Sequence, residues 1–197
     1  MRYVLSNKMI NKKFIQKLKK EHSDNNGERR QIISLSNIVL HDSKRIIFSL
    51  HRGDVKQAEE KFIEIESIIK KLEKKFSLNR INAEGAYKAA VEEYAEAKMF
   101  YNYLAGKKID KIKDINLTYE SYLGGICDTT GELVRLAVNK AAAGDFDEVG
   151  KIKQAINDIM GELVEFDMAG YLRTKYDQAR GNLRKIEQVD YEIKIRK

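Results

Sequence analysis

The chain has 197 residues, with 37 Lys and Arg against 30 Asp and Glu, a formal net charge of +7. At 43% hydrophobic residues it is too apolar for a disordered chain, and its length suits a single domain, 1–197, with a sizeable core. It has no proline, and its one cysteine, Cys127, excludes an intrachain disulfide framework and a thiolate zinc cluster.

Without proline, and with only 12 glycines, the chain favours long helices. A short helix is expected around Lys8–Lys20, followed by a loop at Glu21–Gly27 (Glu-His-Ser-Asp-Asn-Asn-Gly). A helix over Glu28–His51 carries Ile32, Leu35, Val39, Ile46 and Leu50 on one side. Asp54–Phe76 follows, capped by Asp54, with Val55, Ala58, Phe62, Ile65, Ile69, Leu72 and Phe76 in a seven-residue rhythm. Further helices are predicted at Glu84–Leu104 and Thr118–Ala143, separated by a loop at Ala105–Asn116. Stripes through Val149, Ile152, Ile156, Ile159 and Leu163, and through Leu172, Tyr176, Ala179, Leu183, Ile186 and Ile193, complete about seven helices. Nothing reads as a strand, so the fold class is all-α. His22, His41 and His51 all precede the later helices, which argues against a histidine-rich metal site. No apolar run approaches the ~20 residues of a membrane span, and no signal-peptide core opens the chain. A cytoplasmic protein without a membrane partner is the default expectation.

The two middle helices place acids where apolar residues belong. On the first, Ala86, Ala89, Ala90, Ala97, Phe100 and Leu104 trace one face, and Glu93 and Glu96 fall into the same row. On the second, Asp128 and Glu132 share a face beside Gly124, Gly125 and Gly131, glycines better suited to close backbone approach than to helix formation. Four carboxylates on two facing helices need cations or water, because unpaired buried charge is expensive. Oxygen ligands without His or Cys suit Mg²⁺ or Mn²⁺, and two such ions ~4 Å apart activate water against a phosphodiester. The same spacings also occur on solvated faces and in salt bridges, where Arg135, one turn after Glu132, is a natural partner.

Glu-Tyr-Ala-Glu-Ala (93–97), Tyr122-Leu-Gly-Gly and Cys127-Asp-Thr-Thr-Gly-Glu-Leu-Val-Arg135 resemble the translin family, most of all its catalytic translin-associated factor X branch. Ser43-Lys44-Arg45, Leu50-His51-Arg52, Asn139, Gly144-Asp145, Leu172-Arg173-x-Lys175-Tyr176-Asp177 and Val189-Asp190-Tyr191-Glu192-Ile193 extend the likeness over about residues 28–197. The resemblance implies an all-α subunit of a hollow octamer that encloses nucleic acid. It also implies a Mg²⁺-dependent endoribonuclease whose acidic residues match Glu93, Glu96, Asp128 and Glu132, since the binding-only translin branch lacks the two glutamates. Residues before Glu28 match nothing in the family. Arg80–Lys88 stands where translin carries an Arg/His-rich RNA-contact segment, and there is no long basic tail. These departures point to a prokaryotic or archaeal type acting as a homo-oligomer.

Candidate phosphate contacts are Arg29, Arg30, Lys44, Arg45, Arg52, Lys88 and Arg135, with a further basic run at Lys107–Lys113. Tyr87, Tyr94, Tyr101 and Tyr103 share one helix; most suit the core, and one near the acids suits stacking on a base. Cys127 reads as a small buried apolar residue. The expected function is metal-dependent cleavage of single-stranded RNA, with single-stranded DNA a further ligand. The rival readings are a non-catalytic nucleic-acid scaffold and a helical interaction module.

Overall fold

The structure is a computed structural model and describes residues 10–195. Among them are seven helices and no strand: α1 (Lys12–His51), α2 (Val55–Lys75), α3 (Leu78–Asn82), α4 (Gly85–Leu104), α5 (Tyr119–Ala142), α6 (Phe146–Leu163) and α7 (Gly170–Ile195). The starts follow capping chemistry. Asn11, Asp54, Ser77, Thr118 and Asp145 each accept a backbone N–H of the first turn of α1, α2, α3, α5 and α6. Among the described residues no helix is long and apolar enough to cross a membrane.

The first expectation to fail is the loop at Glu21–Gly27. Those residues lie inside α1, which runs unbroken for 40 residues; Lys8, the expected start of a separate first helix, lies outside the described residues. Asp, Asn and a single Gly lower helix propensity by less than about 1 kcal/mol each and, unlike proline, do not break the backbone. Once the half from Ile32 to Leu50 is anchored by its buried face, adding residues at its N-terminus needs no new nucleus. The Arg80 guanidinium, from α3, secures the middle of the helix at the Asn25 carbonyl (3.4 Å) and the Glu28 carboxylate (3.2 Å). The short helix α3 was not anticipated from periodicity; five residues are too few to display one.

α2 returns against α1, with contacts at Ser49–Gln57, Asp42–Lys61 and Gln31–Lys75 running in opposite senses. Elsewhere the contacts advance together. Arg29 meets Glu84 and Lys44 meets Glu93, so α1 and α4 are parallel. Lys88 meets Glu120 and Glu92 abuts Gly124, so α4 and α5 are parallel, which the 14-residue connection of 105–118 permits. Asp128 meets Lys175 and Thr130 meets Asn182, so α7 follows the same direction. Four co-directional helices therefore bring the C-terminal part of α1, the middles of α4 and α5 and the first turns of α7 to one level.

The apolar face expected on α4 is broader than its alanine row. Ala89 and Leu104 are exposed, while Tyr87, Val91, Tyr94, Ala95 and Met99 are buried with Ala90, Ala97 and Phe100. α4 is sandwiched between α1 and α5 and touches α2 through Tyr94, whose ring meets Phe62 edge-on at 6.1 Å. A helix enclosed on several sides has no single stripe to display. Gly125 allows this close packing: a Cβ there would stand 2.9 Å from Ala95 Cβ and 3.1 Å from the Glu96 backbone nitrogen.

Candidate functional site: an acidic cluster between four parallel helices

Glu93 and Glu96 on α4 and Asp128 and Glu132 on α5 do converge. The Glu93, Asp128 and Glu132 side chains keep 21%, 24% and 21% of their surface exposed, so solvent reaches them, while Glu96 is buried at 8%. Burial is the main force raising the Glu93 carboxyl above its usual range, assisted by the Asp128 and Glu132 charges and opposed by Lys44. Glu96 is pushed up to about 9 by burial first, then by repulsion from Glu93, Asp128 and Glu132. Among the described residues Glu96 makes no hydrogen bond or ion pair, and its carboxylate oxygens keep contact with solvent although the residue is buried overall.

The other acids are partnered by residues that sequence reading passed over. His51, set aside with the other histidines, comes from the last turn of α1. It donates its Nε2 proton to Glu132 Oε2 at 2.5 Å and rests against the Phe100 ring. Burial raises Glu132, but His51 and Arg135 (3.4 Å) outweigh it and leave the carboxyl below its usual range. Lys175, on α7, sits 2.5 Å from Asp128 Oδ2 and 2.9 Å from Glu92 Oε1. Burial acts against its ammonium, yet the bonds to Asp128, Glu92 and Tyr171 hold it protonated above its ordinary range. Asp128 is nevertheless raised, because burial exceeds what Lys175 returns. Glu92 is a fifth acid, buried, accepting also from the Tyr171 hydroxyl. These partners lie 81, 83 and 47 residues from the acids they meet, and no local periodicity encodes such distances. The only signal for Lys175 was its place in the Leu172–Asp177 motif.

Of the basic candidates, Lys44 (3.9 Å from Glu93) and Arg135 border the acids. Arg45 pairs with Asp42 at 2.8 Å, and Arg52 lies over the Phe48 ring. Arg29 and Arg30 stand lower on α1, against Glu84 and the Asn26 carbonyl, and Lys88 pairs with Glu120 at the start of α5. Tyr94 and Tyr101 bond Glu66 and Glu59 rather than facing the acids; the tyrosine beside the site is Tyr171. Cys127 is buried, and burial pushes its thiol up to about 12. Beside Glu92 opens a groove of about 1050 Å³ whose lining includes Lys88, Tyr119, Leu123, Phe166 and Tyr171.

The donor set fits a hard divalent cation in its chemistry: oxygen ligands, net negative charge and, in Glu96, a carboxyl that forms no ion pair among the described residues. Among the described residues, however, no three His, Cys, Asp or Glu side chains stand close enough together to hold a metal ion. Glu132 is drawn towards α1 by His51, and Asp128 towards α7 by Lys175.

Translin from Gallus gallus is 33% identical over 94 residues, covering 47% of this chain; the match spans only 41% of that translin's length. Translin-associated protein X from Mus musculus is 24% identical over 232 residues, covering 94% of this chain and 77% of that one. A solved structure described as AfC3PO with duplex RNA shares the fold, with a TM-score of 0.81 at 23% identity over 93% of this chain and 97% of that one. The Translin family pattern itself matches residues 27–197, every helix except the N-terminal part of α1, and on that match this chain belongs to the Translin family.

Proposed function

We propose that this chain binds RNA and hydrolyses its phosphodiester bonds with Mg²⁺ or Mn²⁺, as a subunit of a homo-octameric shell of the catalytic, translin-associated factor X type. The observation that carries this reading is the convergence of Glu93, Asp128 and Glu132 on Glu96, a largely buried acid without an ion-pair partner among the described residues. A divalent cation held there would make an attacking water more acidic and would neutralise charge on the phosphate. Glu93, Glu96 and Asp128 are the residues to hold it, with Glu132 kept ionised and oriented by His51. Lys44 and Arg135 stand on the rim, where they draw phosphate towards an otherwise anionic site. The exposed Tyr119, Phe166 and Tyr171 rings, beside Lys88, suit the bases and phosphates of an unpaired strand, RNA before single-stranded DNA. The likeness to AfC3PO, described with duplex RNA, makes duplex the substrate to test alongside.

Cleavage of single-stranded and duplex RNA, with and without EDTA, tests the reading. Wild type is expected to cut only without EDTA, and Glu93→Gln or Asp128→Asn to abolish cutting while binding persists. Cutting that survives EDTA, or full activity in both variants, would falsify it. The ion pairs of Lys175 and His51 favour a second reading, a non-catalytic scaffold whose acids serve only as structural partners. RNA binding by wild type without any cleavage would select it. Exposed Phe14, Leu18, Ile38 and Phe48 along α1 support assembly, because a lone chain gains nothing by leaving them in water. Light scattering at micromolar concentration should give the mass of an octamer; a monomer counts against the shell.

A further inference from the structure

Glu92 and Lys175 form a second arrangement beside the acid quartet. Glu92 is adjacent in sequence to Glu93 but turned about 100° around α4, so it faces α7. Three features hold it there. The Tyr171 hydroxyl donates to Oε1, and so does the Lys175 ammonium. Gly124 leaves the room: a Cβ at that position would stand 2.1 Å from Glu92 Oε2. Lys175 then bridges from Glu92 to Asp128, its side chain only 17% exposed. A single ammonium thus joins carboxylates from two helices.

We infer that Lys175 is a built-in counter-ion of the acidic site. In the cation-free protein it occupies the place beside Asp128 that a divalent cation takes, and it withdraws onto Glu92 when the cation enters. The inference rests on the divalent-cation reading above. An ammonium and a divalent cation cannot share one carboxylate without strong mutual repulsion in a half-buried site. Withdrawal is feasible because Glu92 and the Tyr171 hydroxyl remain to receive the ammonium, which need not return to water. The same contact keeps Asp128 on the α7 side, as His51 keeps Glu132 on the α1 side, and among the described residues no three ligating groups stand together. A buried fifth acid outside the quartet acquires a role, as the resting place of the displaced lysine.

Titration calorimetry of Mn²⁺ into the full chain tests this, using wild type, Lys175→Met and Lys175→Arg. Removing the competitor should tighten Mn²⁺ binding by about tenfold in Lys175→Met. Lys175→Arg, which keeps the charge, should stay within about threefold of wild type. Binding by Lys175→Met alone would also support the inference. If wild type binds Mn²⁺ and Lys175→Met binds it equally or more weakly, Lys175 only positions Asp128 and the inference fails while the cation reading stands. If neither binds, both fail. A second measurement needs no variant. Amine-reactive labelling of wild-type Lys175, mapped by mass spectrometry against exposed Lys56, should rise when Mn²⁺ is added, because the amine then keeps one carboxylate contact instead of two. Unchanged labelling at saturating Mn²⁺ overturns the inference even if Lys175→Met does not fold.

Discussion

At Glu96 burial and like charge act in one direction. The carboxyl is pushed up to about 9, whereas in the unfolded chain it has the ordinary value of 4.5. Between those values the folded protein keeps a proton that the unfolded chain has released. The stability this contributes is full below about 4.5 and is lost as pH rises through about 9. Glu132 has the opposite sign: its lowered value gives stability above the ordinary carboxylate range that is lost as pH falls through the folded value. In EDTA, the melting temperature of wild type should therefore decline from pH 6 to 9, on the order of the window set by Glu96. Glu96→Gln should melt higher than wild type at pH 8 and show a flatter profile, since a neutral amide needs no proton taken up on folding. A variant less stable than wild type at pH 8 would show that Glu96 is ionised and compensated.

The elements of this fold follow from patterns the chain displays openly, except where a local signal competes with tertiary anchoring. The stripe of α2 is reproduced at Ala58, Phe62, Ile65, Ile69, Leu72 and Phe76, all buried, because that face of the helix packs on its neighbours, whereas Val55, expected in the same stripe, is exposed at the first residue of the helix, before the packed face begins. Along α1 the polar run Glu21–Gly27 has the composition of a loop but no obligate breaker. A Cβ at Gly27 would meet nothing within 4 Å, and its backbone is not in the left-handed region. Gly27→Ala should thus stabilise the protein by about 0.5–1 kcal/mol, raising the melting temperature by a few degrees. A lower melting temperature in a thermal scan would instead restore the loop.

For the whole molecule, the +7 charge and the acidic cluster divide the work. On the proposed function, lysines and arginines dispersed over the surface would attract a polyanion without regard to sequence, while the acidic quartet lies between four helices. RNA binding should weaken steeply as salt rises over an about tenfold range, with a slope proportional to the phosphates contacted. It should be little changed by scrambling the RNA sequence. Filter binding across that range checks both, and affinity indifferent to ionic strength would remove phosphate contact as the basis of binding.

The all-helical class, most helix boundaries and the pairing of Glu93 with Glu96 and Asp128 with Glu132 were determined by the sequence alone. Each depends on spacings of three or four residues and on the absence of proline, which are properties of the chain itself. Only the tertiary structure decided that α1, α4, α5 and α7 run parallel and meet at one level. From that follow the contacts of His51 with Glu132 and of Lys175 with Asp128 and Glu92, across 81, 47 and 83 residues of chain. Only the packed fold also decided that Glu96 is buried without a partner while its neighbour Glu93, three residues away on the same helix, stays accessible. Periodicity says which residues share a face; what that face meets is set by helices that arrive from distant parts of the chain.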